Sequence, residues 1–382
     1  MKILTLNKIS KVGLAHFDDS YKVASEQNDP QAILVRSASM HEFDFGPSLL
    51  AIARAGAGVN NIPVDACAEK GIVVFNTPGA NANAVKELAI ASLLLASRDI
   101  VDGINWAKGL TGDDVPKQVE KGKSQFAGCE IKGKKLGIIG LGAIGVHVAN
   151  AALSLGMKVY GYDPYLSIKS AWSLSHHVQR ASMNDIYENC DFISVHVPLT
   201  DETKGFINKT SIALMKDGVR ILNLSRGGLV NDDDLKEALD SGKVAKYVTD
   251  FPDAKTVTFK NAICIPHLGA STEESEDNCA VMAVEQIRDY LENGNIVNSV
   301  NFPAVELPRS SKVRLCLIHR NIPAVLSSVS AVLAGANINI SNMINKSKAD
   351  FAYTLVDCDN DVTDDCLAKL QTIDGIIRIR VL

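Results

Sequence analysis

Short, nearly continuous apolar runs alternate with longer stretches of helical spacing as far as about Asn301. The runs AILVRS, GIVVFN, KLGIIG, KVYGYD, DFISVHVP, RILNLSR, AKYVTDF and AICIPH are rich in β-branched residues and show no strict apolar–polar alternation. That is the pattern of strands covered on both faces. Segments such as NAVKELAIASLLLASRDIVDGINWAKG and NDDDLKEALDSGK supply the helices between them. Regular strand–helix alternation predicts an α/β fold built on parallel, doubly wound sheets.

The texture then changes. NFPAVELPRSS carries two prolines and a serine pair, which predicts a linker over 304–311. Beyond it, over 312–382, the order is strand (VRLCLIH), helix (PAVLSSVSAVLAG), strand (INISNMINKS), strand (DFAYTLVD), helix (DDCLAKLQTI) and strand (IIRIRVL). This βαββαβ order predicts a small ferredoxin-like module.

Composition narrows the classes. With 382 residues, 46% of them hydrophobic and 22% charged, the chain is expected to be a soluble protein of two or three domains. Its charge of -5 is interspersed, and no basic block points to nucleic acid. The run LAIASLLLAS falls short of the roughly 20 apolar residues of a membrane span, and MKILTLNKIS is too soon interrupted for a signal peptide. The eight cysteines form no C-x-x-C pair and no cluster with histidine. They read as reduced thiols in a cytoplasmic protein, with no metal site.

The segment KKLGIIGLGAIGVHVANAALSLGMKVYGYD holds Gly140-x-Gly142-x-x-Gly145 between a strand and a helix, and its second strand ends at Asp163. The spacing alone is weak; inside one βαβ unit with an acid in register it predicts a dinucleotide site. Gly140 permits the turn, Gly142 lets backbone approach a pyrophosphate, and Gly145 lets helix pack on strand. Ala143 and Ile144 open the helix, whose free N–H groups attract phosphate. Asp163 would accept from a ribose 2′-hydroxyl and repel a 2′-phosphate, so NAD is expected over NADP.

Three more strands deliver ionisable residues at their carboxyl ends: Arg226 in RILNLSRGGLVN, Asp250 and then Asp253 in AKYVTDFPD, and His267 in CIPHLGAST. Ligands of open α/β sheets bind at that edge. Transferring hydride from a 2-hydroxy acid requires a cation for the carboxylate, which Arg226 can fork. It also requires a base for the hydroxyl proton, which His267 can be. A carboxylate is needed to orient the imidazole. By type alone, Arg226 is equally a strand-end salt-bridge partner and His267 a satisfied core histidine.

GLGAIG with Asp163, NLSRGGLVN and PHLGAST together resemble the D-isomer-specific 2-hydroxyacid dehydrogenases, and RAGAGVNNIPVDACAEKGIVVFNTPGANANAVKELA fits the substrate-domain pattern of that family. The resemblance covers nearly the whole chain. It implies a Rossmann-type NAD domain (98–265) inserted in a flavodoxin-like split substrate domain (1–97 and 266–303), followed by an ACT-type regulatory domain. Arg226 is implied to bind and polarise the substrate and His267 to be the acid/base. Arg36 and Ser37 would contact a phosphorylated substrate, Gly58 and Val59 would offer N–H groups to its carboxylate, and Asn81 is a further contact. Pro198, Thr200, Ser225 and Asp250 would line the cofactor. The implied reaction is oxidation of 3-phospho-D-glycerate to 3-phosphohydroxypyruvate, which opens L-serine synthesis, in a homodimer or homotetramer. Ser271 and Glu274 read as a capping box for the helix that follows.

The chain departs from the family pattern where D-V-F-x-x-E-P normally supplies a glutamate to the histidine. TDFPDAKTVTFKNAICIPH has no glutamate, and Asp253 is the expected substitute. The alternative is that His267 has no carboxylate partner. His319, Asn321 and Asn337 match positions that bind L-serine in related enzymes. Ala324 stands where the family favours glycine, and Ser310-Ser311 stand where some members have a glycine hinge. Two other functions stay open: a different 2-hydroxyacid dehydrogenase, such as a glyoxylate or hydroxypyruvate reductase, and an NAD-sensing, corepressor-like binding protein.

Overall fold

Each of the eight apolar runs carries a strand in the computed structural model, which describes residues 1–382. β1 (Lys2–Leu6), β2 (Lys22–Ala24), β3 (Ala32–Val35), β4 (Ala51–Arg54) and β5 (Val73–Phe75) form a parallel sheet in the order β2-β1-β3-β4-β5. This is the flavodoxin-like order, with its switch point between β1 and β3. The 21-residue helix Glu273–Asn293 belongs to the same unit and buries Ala280, Ala283, Val284, Ile287 and Tyr290 with Ile3, Leu34 and Phe75. It begins at Glu273 and carries Glu273, Glu274 and Glu276 at its start.

The second sheet holds β6 (Lys135–Ile139), β7 (Lys158–Tyr162), β8 (Gln179–Arg180), β9 (Phe192–Val195), β10 (Val219–Asn223), β11 (Val244–Thr249) and β12 (Ala262–Cys264). All pairs are parallel, in the order β12-β11-β10-β9-β6-β7-β8. That is the dinucleotide-fold order with one strand added beyond the sixth, and its switch point lies between β6 and β9.

Two compact units result, Met1–Asn81 with Glu273–Leu382 and Ala82–Thr272. The cuts differ from 97/98 and 265/266 because the helix Ala82–Ser97 packs Val85, Ala89, Leu93 and Ala96 against Val148, Ala149 and Ala152 of the helix Ala143–Ser154. The helical stretch after Asn81 breaks at Arg98–Asp99 before Ile100–Lys108. The Ser97 carbonyl there accepts the Cys129 N–H at 2.9 Å, and Lys246 holds both Asp99 and Asp102 at 2.9 Å.

β13 (Val313–Arg320), β14 (Ile340–Lys348), β15 (Phe351–Cys358) and β16 (Ile376–Val381) form an antiparallel sheet in the order β14-β15-β13-β16, the ferredoxin-like arrangement read from the sequence. One face carries the helices Val325–Gly335 and Asp364–Gln371 through Val329, Leu333, Cys366 and Leu370. Residues of the other face, Cys316, Ile318, Tyr353 and Leu355, join the core that contains Phe75 and Tyr290. The segment read as a linker is built into this body: Val305 and Leu307 are buried, and Val305 pairs with Ile296.

Arg314, the second residue of β13, is fully buried against the equally buried Asp357, with contacts of 2.6 and 2.9 Å. Its remaining N–H groups reach the carbonyls of Asn293, Leu307 and Pro308, while Ser310 donates to Asp357 through N and Oγ. A buried ion pair is tolerable only when its residual donors and acceptors are met, as they are here. No helix is long and apolar enough to cross a membrane, all eight cysteines are free, and no three His, Cys, Asp or Glu side chains cluster for a metal.

Candidate active site

The glycine loop lies at the carboxyl end of β6. Gly140 has φ 93°, and a Cβ there would stand 2.4 Å from the His196 carbonyl; one on Gly145 would stand 1.9 Å from the Gly140 carbonyl. A Cβ on Gly142 would meet nothing within 4 Å. Two glycines are therefore fixed by packing, and the middle one faces open space at the start of the helix Ala143–Ser154, where no side chain caps the free N–H groups. Asp163 ends β7, and its two carboxylate oxygens accept the N–H groups of Leu141 and Tyr165, each at 2.8 Å. The acid is thereby held against the loop. Beyond β9, Thr203 Oγ1 donates to the Pro198 carbonyl at 2.7 Å and accepts the Thr200 N–H at 2.8 Å, closing the turn that holds both expected cofactor residues.

His196 belongs to this wall as well. Its Nε2 lies 2.9 Å from Ser194 Oγ, its Nδ1 is buried without a partner, and burial pushes its pKa down to about 4. It is neutral at physiological pH.

The three strand ends meet. Asn223, at the end of β10, accepts the Ser225 N–H at 3.2 Å and donates to the Arg226 carbonyl at 2.9 Å, which fixes the turn presenting Arg226. Phe251 follows Asp250 beyond β11. Its ring centre lies 5.9 Å from the Arg226 guanidinium carbon and 4.5 Å from the His267 ring centre. Arg226 and His267 thus flank one aromatic ring, and both are exposed.

His267 has φ 44°, a left-handed conformation uncommon for residues other than glycine. Its N–H is held by the carbonyls of Asp250 and Ile265, both at 3.0 Å. The Asp250 side chain is 1% exposed. One of its oxygens accepts the Gly269 N–H at 3.1 Å, and the other has no hydrogen-bond partner. Burial pushes the Asp250 carboxyl above its usual range, against the Gly269 N–H and the charges of His267 and Arg226.

Asp253 is not the partner of His267. Its carboxylate accepts the N–H groups of Lys255 and Thr256 and the Thr256 hydroxyl, at 2.8 to 3.0 Å. Those bonds close the shortened loop on itself and hold Asp253 below its usual range.

In the other unit, the carboxyl ends of β1, β3 and β4 gather the expected substrate residues. Asn7 Oδ1 accepts the N–H groups of Arg36, Ser37 and Ala38 at 2.8 to 3.3 Å. Arg54 Nε donates to the Arg36 carbonyl at 3.0 Å. Gly56 has φ 152°, and a Cβ there would strike the Arg54 guanidinium at 2.3 Å, so Arg54 lies beneath the loop leading to Gly58 and Val59. The Arg36 guanidinium contacts Glu276 at 2.6 Å. Asn81 closes this segment of the unit.

Comparison with known proteins places this geometry. Residues 90–269 match the family model for the NAD-binding domain of D-isomer-specific 2-hydroxyacid dehydrogenases. D-3-phosphoglycerate dehydrogenase of Haemophilus influenzae is 34% identical over 355 residues, covering 88% of this chain and 82% of that one. The counterpart in Escherichia coli K12 is 35% identical over 347 residues, with 87% and 82% covered. The chain belongs to the D-isomer-specific 2-hydroxyacid dehydrogenase family.

Among solved structures, this dehydrogenase is similar to an NAD+-bound 3-phosphoglycerate dehydrogenase of Entamoeba histolytica (28% identity, TM-score 0.61, 79% of this chain and 98% of that one). It is also similar to a glyoxylate reductase of Paecilomyes thermophila (26%, 0.64, 78% and 98%). Its cofactor is NAD, and the residues fit it: the open space over Gly142 and the uncapped helix start suit a pyrophosphate, and Asp163 suits a ribose diol. It acts on a small molecule.

The expected effector residues of this dehydrogenase are differently disposed. His319 is 3% exposed, with Nδ1 2.7 Å from the Arg320 carbonyl and Nε2 2.9 Å from Thr354 Oγ1, so both ring nitrogens are engaged inside the sheet. Asn321 and Asn337 are exposed; Asn321 donates to the Ala349 carbonyl at 3.1 Å. The sequence reading passed over Asn7, Arg54, Phe251 and Glu276. A polar residue straight after an apolar strand was the available signal for Asn7 and Arg54. Phe251 and Glu276 carry none, since either is ordinary at a turn or a helix start.

Proposed function

We propose that the protein is a D-3-phosphoglycerate dehydrogenase, oxidising 3-phospho-D-glycerate to 3-phosphohydroxypyruvate at the entry to L-serine synthesis. The observation that carries this reading is the placing of Arg226 and His267 on one Phe251 ring with Asp250 buried behind. The similarity to relatives bearing that name over most of both chains supports the substrate.

Bound NAD supplies the hydride acceptor. The Arg226 guanidinium holds the substrate carboxylate and polarises the oxygen that becomes the carbonyl. The His267 imidazole takes the hydroxyl proton as the C2 hydrogen leaves with its electron pair, and returns it in reduction. Asp250 stabilises the imidazolium so formed. Arg36 and Ser37 receive the phosphate, Gly58 and Val59 give N–H groups to the carboxylate, and Asn81 is a further contact.

Purified protein is expected to oxidise NADH with 3-phosphohydroxypyruvate at a kcat/KM well above those for hydroxypyruvate and glyoxylate. Equal or lower efficiency with the phosphorylated acid would instead establish a reductase of unphosphorylated keto acids, the reading favoured by the neutralisation of Arg36 by Glu276.

A homo-oligomer is part of the proposal. Helices Ile100–Lys108 and Val115–Gly122 bury no residue, Ile100 and Ile104 are 42% and 48% exposed, and edge strand β14 is largely exposed. A cytoplasmic location fits the eight free thiols. L-serine, if it regulates the enzyme, would engage Asn321 and Asn337, not the enclosed ring of His319.

A further inference from the structure

We propose that Glu276 is a built-in competitor for the phosphate of the substrate, setting its affinity by occupying the Arg36 guanidinium when no substrate is present; this rests on the assignment of Arg36 to the phosphate.

The main chain at Arg36 is clamped from two sides. Its N–H is held by Asn7 Oδ1 at 3.3 Å and its carbonyl by Arg54 Nε at 3.0 Å. The flanking N–H groups of Ser37 and Ala38 are satisfied by the same Asn7 oxygen. The turn is therefore fixed, and only the guanidinium is left to change partners. That guanidinium contacts Glu276 Oε1 through Nη2 at 2.6 Å, with the two side chains 43% and 45% exposed. Both groups are open to water, so the pair can part without stranding a buried charge.

Glu276 is held in place independently of Arg36. It lies in the first turn and a half of the helix Glu273–Asn293, and the next residue, Asp277, is bonded to Ser10 Oγ. A phosphate arriving at Arg36 must displace this carboxylate and then sit beside it, like charge against like. An uncharged substrate end meets neither cost. Glu276 thus weakens the binding of phosphorylated acids selectively.

Exposed pairs of this kind shift an affinity by about two- to five-fold. In the Glu276→Gln variant, KM for 3-phosphohydroxypyruvate is expected to fall by about that factor relative to KM for hydroxypyruvate. Glu276→Asp should lie between the variant and the parent. Calorimetric titration of the NAD-loaded enzyme with inorganic phosphate reads the same site without turnover. Binding is expected to tighten in Glu276→Gln and to be lost in Arg36→Ala/Glu276→Gln. Unchanged or weaker phosphate binding in Glu276→Gln would overturn the proposal and make Glu276 a support for Arg36. Were the parent enzyme to show no preference for the phosphorylated acid, the assignment of substrate would fail by itself; the phosphate titration would still decide the role of Glu276.

Discussion

The main-chain carbonyl of Asp250 accepts the N–H of His267 at 3.0 Å, while the Asp250 carboxylate is buried with one oxygen unpartnered. One residue thereby fixes the histidine backbone at φ 44° and sets a negative charge near its ring. In the proposed chemistry, Asp250 is the carboxylate that stabilises the imidazolium.

Asp250→Asn separates this role from stability. Burial raises the folded pKa of Asp250, so the folded state binds its proton more tightly than the unfolded one. Stability is then lost as pH rises through the folded pKa, and the ionised form is a cost at neutral pH. The variant keeps the Gly269 hydrogen bond through its amide oxygen. It is expected to be as stable as the parent at pH 7 or more so, an advantage that fades in acid. Its kcat/KM for oxidation should fall by about 10- to 100-fold as the imidazolium loses its counter-charge. Asp253→Asn, tested by thermal melting and the same assay, should loosen its loop by about 1 kcal/mol with kcat/KM unmoved.

The glycine loop gives a paired test. Gly142→Ala adds a methyl group to open space and should leave Tm nearly unchanged while weakening NAD binding in a fluorescence titration. Gly145→Ala drives a methyl group against the Gly140 carbonyl and should cost about 2 to 3 kcal/mol of stability. Comparable losses of Tm in both would mean that the middle glycine serves packing.

Much of this was legible beforehand, for reasons that differ by element. The strands were found because burial on both faces writes itself as unbroken β-branched runs, and the GLGAIG–Asp163 unit because phosphate chemistry fixes spacing within a single βαβ. Arg226 and His267 stand out in the sequence because strand ends are where α/β sheets place ligands, and both side chains lie beside the Phe251 ring. Asp253 was misassigned because the partner of a carboxylate depends on loop conformation: two nearby N–H groups and a threonine hydroxyl captured it first. That Val305 and Leu307 of the connecting segment are buried does not show in the sequence, because proline and serine signal a turn whether or not the turn is buried. Arg314 looks like a polar residue at a strand edge, and only the fold reveals five acceptors around it.

That arginine makes the C-terminal module part of its unit. Burial opposes the charge on Asp357, but Arg314 and Ser310 outweigh it and hold its pKa down. The stabilisation is therefore present above the unfolded pKa and is lost as pH falls through the folded value. Arg314→Ala should cost about 3 to 5 kcal/mol by denaturant melting at pH 7, because it strands a buried carboxylate. The penalty should shrink in acid.

Ala324 caps the helix Val325–Gly335 with φ 70°, a conformation that glycine adopts freely and alanine does not. Ala324→Gly is expected to raise stability by about 1 kcal/mol, read as a higher Tm.

The most direct test of the whole assignment is single-turnover reduction of 3-phosphohydroxypyruvate by His267→Ala loaded with NADH. Hydride transfer should slow by about 10²- to 10⁴-fold with NADH affinity intact, and the pH dependence ascribed to the imidazole should vanish. A rate within about three-fold of the parent, with the same pH profile, would contradict the role given to His267 and with it the chemistry built on the three strand ends.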